Sequence, residues 1–97
     1  MMLFAATLRA KPGITEIRAR MRPAHDAYWE PLMDRIWLAG PLLSDDGERI
    51  GQIMIVNAEN QHDAHALVSN DPFAVHGCFE PFAMTAFRPS IRDGMPA

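Results

Sequence analysis

The first apolar segment, residues 2–9, is apolar at both even-numbered and odd-numbered positions. In an extended chain these positions form two opposite faces, Leu3, Ala5 and Thr7 on one and Phe4, Ala6 and Leu8 on the other. A strand with two largely apolar faces is typical of the middle of a sheet. Lys11-Pro12-Gly13 follows, and its proline and glycine predict the end of the strand.

Residues 14–37 carry apolar side chains at helical spacing. The recurring positions are His25, Tyr28, Trp29, Leu32, Met33 and Ile36. This stripe predicts a helix that packs one face on a core, with Thr15 capping its first turn. Pro23 either begins a second helical segment or kinks a continuous helix, and Pro31 predicts a bend near residues 28–30.

The second half of the chain predicts a hairpin, two short helices and a final strand. Asp46-Gly47 is the predicted turn between an irregular strand at 38–43 and a strand at 49–57. Asn60 predicts the start of a helix. Asp71-Pro72 predicts a second cap and a turn of helix that Gly77 ends. The last predicted strand covers residues 78–87, where Pro81 indicates an edge or a bulge.

The predicted order of elements is β, α, β-hairpin, α, β. This order is typical of a ferredoxin-like α+β sandwich, in which both helices cover one face of an antiparallel sheet. We expect a single domain over residues 1–88. Residues 89–97 contain two prolines, a glycine and few apolar side chains, which predicts a flexible C-terminal tail.

The face of the sheet away from the helices needs a cover. Leu3, Ile53 or Met54, and Met84 would lie in water there, at a cost of about 1.5–3 kcal/mol for each side chain relative to burial. The simplest cover is the same face of a second copy. We therefore expect a two-fold homodimer, in which the two sheets close into a dimeric α/β-barrel.

Composition and charge exclude several classes of partner. The 97 residues have a net charge of −3 and contain no run of Lys and Arg, so we expect no nucleic-acid partner. No apolar run approaches the roughly 20 residues of a membrane span, so we expect no membrane partner. The start of the chain lacks the basic region of a secretory signal, and Cys78 is the only cysteine, which makes the cytoplasm the default location.

His25 and Asp71 are the candidate catalytic residues. A histidine on the apolar face of a helix needs a partner, because an unpaired buried polar group costs about 1–3 kcal/mol. Histidine titrates near neutral pH and serves as a general acid or base. A carboxylate that caps a helix, as Asp71 does in the prediction, can also orient a histidine ring. The alternative is a structural histidine bonded to a backbone carbonyl.

The other polar candidates have competing explanations. Arg22 either binds an anionic substrate group or pairs with a surface carboxylate, and Asp26 is expected to be a solvated charge. His62 and His65 have a spacing that could ligate a metal, but no third ligand has an evident place, so we expect neither a metal nor another cofactor. The candidate substrate-binding residues are Arg22, Trp29, Gly40, Pro41 and Phe73.

Several motifs, taken in order over residues 2–88, resemble those of the YciI-like (YCII-related) family. They are Arg22-Pro23-Ala24-His25, Leu38-Ala39-Gly40-Pro41-Leu42, Asp46-Gly47, Ile50-Gly51, the segment 58–68, Asp71-Pro72-Phe73, Gly77 and Phe79-Glu80. The chain departs from the family pattern at Pro31, Gln52 and Pro81. The resemblance implies a dimeric α+β barrel of ferredoxin-like subunits and an active site with a histidine and an aspartate, which fall on His25 and Asp71.

The expected function is that of a small enzyme acting on a small cyclic or aromatic metabolite. In this hypothesis His25 moves a proton and Asp71 orients it, which suits lyase, isomerase or dehydrohalogenase chemistry. The resemblance adds the last of these, since a relative in the family removes chloride from a chlorinated hydroxyquinol. The alternative is a non-catalytic module that binds a small ligand or supports assembly, in which the same pair only fixes a helix–turn junction.

Overall fold

In the computed structural model, which describes every residue from Met1 to Ala97, the chain forms six strands and three α-helices. A 3₁₀ helix follows the first α-helix. The elements are β1 Met2–Arg9, α1 Thr15–Trp29, the 3₁₀ helix Glu30–Arg35, β2 Ile36–Leu43, β3 Arg49–Ala58, α2 Gln61–Ser69, α3 Pro72–Val75, β4 Thr85–Phe87, β5 Ile91–Arg92 and β6 Met95–Pro96.

Strands β1 to β4 form one antiparallel sheet in the order β2-β3-β1-β4. The central pair, β1 and β3, runs in unbroken register from Met2 opposite Ala58 to Arg9 opposite Gly51. Helix α1 connects β1 to β2, and α2 connects β3 to β4. This is the ferredoxin-like arrangement of an α+β sandwich, as the sequence predicts.

The core lies between the helices and one face of the sheet. In that face Phe4 of β1 lies opposite Val56 of β3, and Ala6 lies opposite Met54. Helices α1 and α2 and the segment before β4 supply the facing side chains. The buried members of the cluster are Phe4, Ala6, Leu8, Trp29, Met54, Val56, Ala58, Ala64, Val68 and Met84. Met54 and Met84 thus face the helices and need no second cover.

Helix α1 continues through Pro23 without a break. It ends at Trp29, and the 3₁₀ helix begins at Glu30, just before Pro31, where the sequence predicts a bend. Two details of the prediction are wrong. Thr15 is the first helical residue and caps nothing, since the N-cap position belongs to Ile14 and no side chain accepts a hydrogen bond there. Ile36 is the first residue of β2, so it belongs to the sheet and not to the helical stripe.

Side-chain caps fix the starts of the two shorter helices, as predicted. Asn60 Oδ1 accepts a hydrogen bond from the Asp63 N–H at 2.8 Å, and Asp71 Oδ1 accepts one from the Phe73 N–H at 2.9 Å. Gly77 follows α3 with a φ of 77°, the left-handed conformation that ends a helix. None of the helices has the length and apolar character that crossing a bilayer requires.

The predicted turn at Asp46-Gly47 is present in the structure, whereas the strand predicted at residues 78–87 is much shorter than expected. Asp46-Gly47 forms the tip of the β2–β3 hairpin, closed by a bond from the Gly47 N–H to the Ser44 carbonyl at 2.9 Å. The last strand covers only Thr85–Phe87, not residues 78–87. The segment before it meets β1 at a single bridge, Ala10 with Phe79, because Pro81 has no N–H to continue a ladder.

The open face of the sheet is partly covered by its own edges. Trp37 of β2 and Phe87 of β4 have ring centroids 6.1 Å apart, although two strands, roughly 14 Å, separate those edges. The rings therefore reach across the face, where Ile55 is only 5 % exposed. Residues 89–97, expected to be flexible, contain the β5–β6 hairpin, and its Arg92 guanidinium lies 5.4 Å from the Trp37 ring centroid.

The backbone of β1 leaves no room for a side chain at Gly51 of β3. A Cβ at this position would lie 2.4 Å from the Leu8 carbonyl oxygen, which is part of the backbone and cannot move aside. Gly40, in the neighbouring strand β2, would place a Cβ in open space. The sheet therefore requires glycine at the first position and tolerates a side chain at the second.

We predict that Gly51→Ala lowers the free energy of unfolding by about 1–3 kcal/mol, the usual cost of forcing a methyl group into a packed site. Gly40→Ala is the matched control, and it is expected to leave that free energy unchanged or slightly raised. Urea denaturation of both variants measures the difference. Equal effects of the two substitutions would contradict the β1–β3 register.

Candidate functional site

Helix α1 and the N-terminus of α3 bring His25 and Asp71 together. His25 Nδ1 lies 2.8 Å from Asp71 Oδ1 and 2.9 Å from Oδ2. An ionised carboxylate only accepts hydrogen bonds, so Nδ1 carries the hydrogen in this pair. The two side chains are 18 % and 5 % exposed, which shields the interaction from water. The residues are 46 positions apart in the sequence and meet as the catalytic hypothesis requires.

The Asp71 carboxylate is held by three donors. In addition to His25, Trp29 Nε1–H donates to Oδ2 at 3.0 Å, and the Phe73 N–H donates to Oδ1 at 2.9 Å. Hydrogen bonds to an ionised group are about twice as strong as neutral ones. Every buried polar side-chain atom of the chain has a partner. Asp71 therefore has one fixed orientation, and it transfers that orientation to the His25 ring.

The Phe73 ring supports the imidazole from one side. The two rings are nearly parallel, with an interplanar angle of 12° and centroids 4.0 Å apart. Phe73 is itself buried, and its backbone N–H bonds to Asp71. Two contacts thus fix His25, an in-plane hydrogen bond and a stacked ring.

The second ring nitrogen of His25, Nε2, makes no hydrogen bond within the chain. His25 itself lines a cleft. The cleft has a volume of about 420 Å³ and lies between α1, the 3₁₀ helix and strands β2 and β3. Its apolar wall consists of Trp29, Met33, Ile36, Ala39 and Met54. Its polar residues are His25, Asp26, Glu30 and Gln52. With Nδ1 protonated, a neutral His25 presents Nε2 as a base.

Gln52 is one of the cleft residues that the sequence does not predict as part of a site. It lies opposite Leu8 on the face of β3 that packs under the helices. Its Nε2 donates to the Met54 sulfur at 2.8 Å, and its carbonyl oxygen has no partner within the chain. The available signal was a polar residue at a helix-facing position of a central strand, next to a continuous apolar run.

Two of the predicted substrate-binding residues lie at the cleft or directly behind His25, and the other three do not line the cleft. Trp29 lines the cleft, and Phe73 lies behind His25. Gly40 and Pro41 pair with Ile53 and Gln52 in the sheet, but Ala39 takes their expected place in the cleft wall. Arg22 lies outside the cleft, exposed on α1, with its Nε 3.2 Å from Asp26 Oδ1, which is the surface pairing considered in the sequence analysis.

The remaining histidines do not form a metal site with other side chains. His65 Nδ1 lies 3.2 Å from the Ser69 hydroxyl, and its ring packs 4.9 Å from that of Phe82. No group of three or more His, Cys, Asp or Glu side chains is placed to hold a metal ion.

Two groups near Asp71 titrate away from neutral pH. Burial raises the pKa of the Cys78 thiol, with Arg18 opposing the shift and Asp71 adding to it. The thiol is fully buried, so Cys78 does not supply a nucleophile. Burial and the Asp71 charge raise the pKa of Tyr28, whose hydroxyl donates to the Leu67 carbonyl at 2.6 Å. His25 is thus the side chain of the site suited to proton transfer.

Comparison with known proteins assigns the family. The sequence profile of the YCII-related domain matches residues 2–88. The structure resembles 5-chloro-2-hydroxyhydroquinone dehydrochlorinase (TftG) from Burkholderia phenoliruptrix AC1100, solved in complex with 2,5-dihydroxybenzoquinone. Identity is 34 %, the alignment covers 90 % of this chain and 94 % of that one, and the TM-score is 0.77.

A second solved structure shares the fold alone. Protein Atu4242 from Agrobacterium tumefaciens is 13 % identical over 92 % of this chain and 93 % of its own, with a TM-score of 0.52. A comparison with curated proteins gives no match. The profile match extends over the whole four-stranded sheet and all three α-helices, from β1 to the residue after β4. The chain therefore belongs to the YCII-related domain family.

Proposed function

We propose that the protein is an enzyme in which His25 and Asp71 act as an acid/base pair on a small hydroxylated aromatic ring. One observation carries the proposal. Asp71 fixes one nitrogen of His25, the other nitrogen has no partner in the chain, and His25 is a lining residue of an open cleft. A positioned general base needs this combination of a fixed ring and an available lone pair.

The cleft suits a small ring with polar substituents. Its volume of about 420 Å³ lies in the usual range for small-molecule sites, roughly 300–1,000 Å³. Trp29, Met33 and Met54 offer apolar surface to the faces of a ring. His25 and Gln52 offer hydrogen-bonding groups to hydroxyls at its edge. The named substrate of the similar dehydrochlorinase, a chlorinated hydroxyhydroquinone, is a ring of this kind.

Dehydrochlorination of such a ring balances with proton transfers alone. Two hydroxyl protons leave as a hydroquinone becomes a quinone, and one of them ends on the carbon that carried chlorine. Chloride leaves with the electron pair of the C–Cl bond, so the net loss is HCl, with no oxidant or reductant. His25 Nε2 accepts a hydroxyl proton and delivers it to carbon, and Asp71 stabilises the imidazolium between those steps.

The second candidate function is a non-catalytic module that binds a small ligand. One observation favours it: Asp71 caps α3 through the Phe73 N–H and bonds to Trp29, so the pair also has a structural role. In this alternative a quinone or hydroquinone binds in the cleft and is released unchanged. Binding of 2,5-dihydroxybenzoquinone without turnover of the chlorinated ring distinguishes it from the enzyme.

We predict that the wild-type protein releases chloride from 5-chloro-2-hydroxyhydroquinone and that His25→Ala lowers kcat by about 10²–10⁴-fold, the usual contribution of a general base. His76→Ala is the control, because His76 is exposed and lies outside the cleft. A chloride assay measures turnover, and a thermal melt checks that each variant is folded. Failure of the wild type to turn over, or equal turnover by His25→Ala, would refute the catalytic role.

We also propose that the protein is a two-fold homodimer formed by the open face of the sheet. Leu3, Ala5, Leu38, Ile53 and Phe87 lie on that face. Trp37 and Phe87 cover Ile55, but Leu38 remains 51 % exposed and Phe87 39 % exposed. A second copy of the same face would remove this apolar surface from water.

We predict a single species in sedimentation velocity, at twice the chain mass of 10.8 kDa, at micromolar concentration and moderate salt. Leu38→Glu is expected to shift the protein toward monomer, because it places a charge in the interface. Val75→Glu changes an apolar residue on α3 that is more exposed than Leu38, at 63 %, and is expected to leave the dimer intact. Monomer mass for the wild type would overturn the dimer.

A further inference from the structure

A second cavity opens beside the amino end of α1. It has a volume of about 670 Å³ and shares no lining residue with the cleft of His25. Its walls are the loop from β1 to α1, the first two turns of α1, and residues 48–49 at the start of β3. We call it the basic groove, because four of its lining residues are cationic, namely Lys11, Arg18, Arg22 and Arg49.

The basic groove has little negative charge of its own. Glu48 is its only acidic lining residue. Arg22 pairs with Asp26 at an exposed position, whereas Lys11, Arg18 and Arg49 form no ion pair in the chain. Gly13, Ile14 and Thr15 at the amino end of α1 also line the groove, and the partial positive charge of that helix end adds to the field.

The positive charges of the groove repel one another, and this repulsion contributes to a lowered pKa at Arg49. Burial, and then the charges of Arg18 and Arg22, lower the pKa of Arg49. Like charges in one concavity repel, and the repulsion weakens the folded state unless an anion neutralises it. The Arg18 guanidinium is also fixed, since it lies 4.7 Å from the centroid of the buried Phe73 ring. The groove is therefore preorganised for a ligand of opposite charge.

We propose that the basic groove binds a small, multiply charged oxyanion, either a phosphate group or a pair of carboxylates. Guanidinium groups present parallel N–H donors that match the oxygens of both anions. Three guanidinium groups and one ammonium favour two or more negative charges over a single carboxylate. The proposal stands independently of the chemistry at His25.

The test is calorimetric titration of the purified protein with pyrophosphate, and separately with malonate, in low-salt buffer free of other multivalent anions. We expect saturable binding to the wild type. Arg49→Gln and Lys11→Gln should each weaken it by about tenfold, the effect of losing one charge-assisted bond of about 1.4 kcal/mol. Arg20→Gln is the matched control, because Arg20 is exposed on α1 and does not line the groove.

The two titrants separate the sources of the anion. Stronger binding of pyrophosphate supports a phosphate ligand, and stronger binding of malonate supports a dicarboxylate. No saturable binding of either anion in the millimolar range would overturn the proposal, and so would equal weakening by Arg20→Gln.

A thermal melt without added anion gives an independent readout. Removing one cation from a repelling cluster should leave the Tm of Arg49→Gln equal to or above that of the wild type. A clear fall in that Tm would show that Arg49 has a structural role and would contradict the repulsion on which the proposal depends. Neither the titration nor the melt measures turnover, so a failure of this proposal can be distinguished from a failure of the proposed function in the chloride assay.

Discussion

The site depends on the hydrogen bonds that the buried carboxylate of Asp71 accepts. It accepts hydrogen bonds from His25 on α1, from the Trp29 indole at the end of the same helix, and from the backbone of Phe73 on α3. A buried charge without partners would cost several kcal/mol, so these donors and the carboxylate require one another. One side chain thereby joins the two helices, starts α3 and sets the histidine tautomer.

The sheet determines where ligands can reach this arrangement. The 3₁₀ helix after Trp29 and the polar side chain of Gln52 leave an opening between α1 and strands β2 and β3. The other end of α1 borders the basic groove, and the ring of Phe73 contacts both His25 and Arg18. Helix α1 thus carries the proposed base toward one cavity and two of the proposed anion-binding cations, Arg18 and Arg22, toward another.

Much of the fold could be predicted because local chemistry encodes it. The His25–Asp71 pair could be predicted because a histidine on an apolar helix face needs a partner, and the family resemblance places the site on these two residues. Asp71-Pro72 has the side chain of a cap and the ring of a first helical residue, whatever surrounds it. The residues of the cleft wall were harder to predict from the sequence, because the bulge after Ile36 shifts the register of β2 and brings Ala39 into the wall instead of Gly40. The basic groove could not be predicted from the sequence, since its cations come from a loop, a helix and a strand that only the fold brings together.

The most direct test of the account is a ¹⁵N NMR measurement of the His25 ring tautomer in the neutral state. If Asp71 fixes the ring as described, Nδ1 carries the proton and Nε2 gives the signal of an unprotonated nitrogen. His76, which is exposed and makes no side-chain hydrogen bond, should instead show an average over both tautomers. A His25 ring protonated at Nε2, or averaged like that of His76, would contradict the central claim that Asp71 holds His25 as a base facing the cleft.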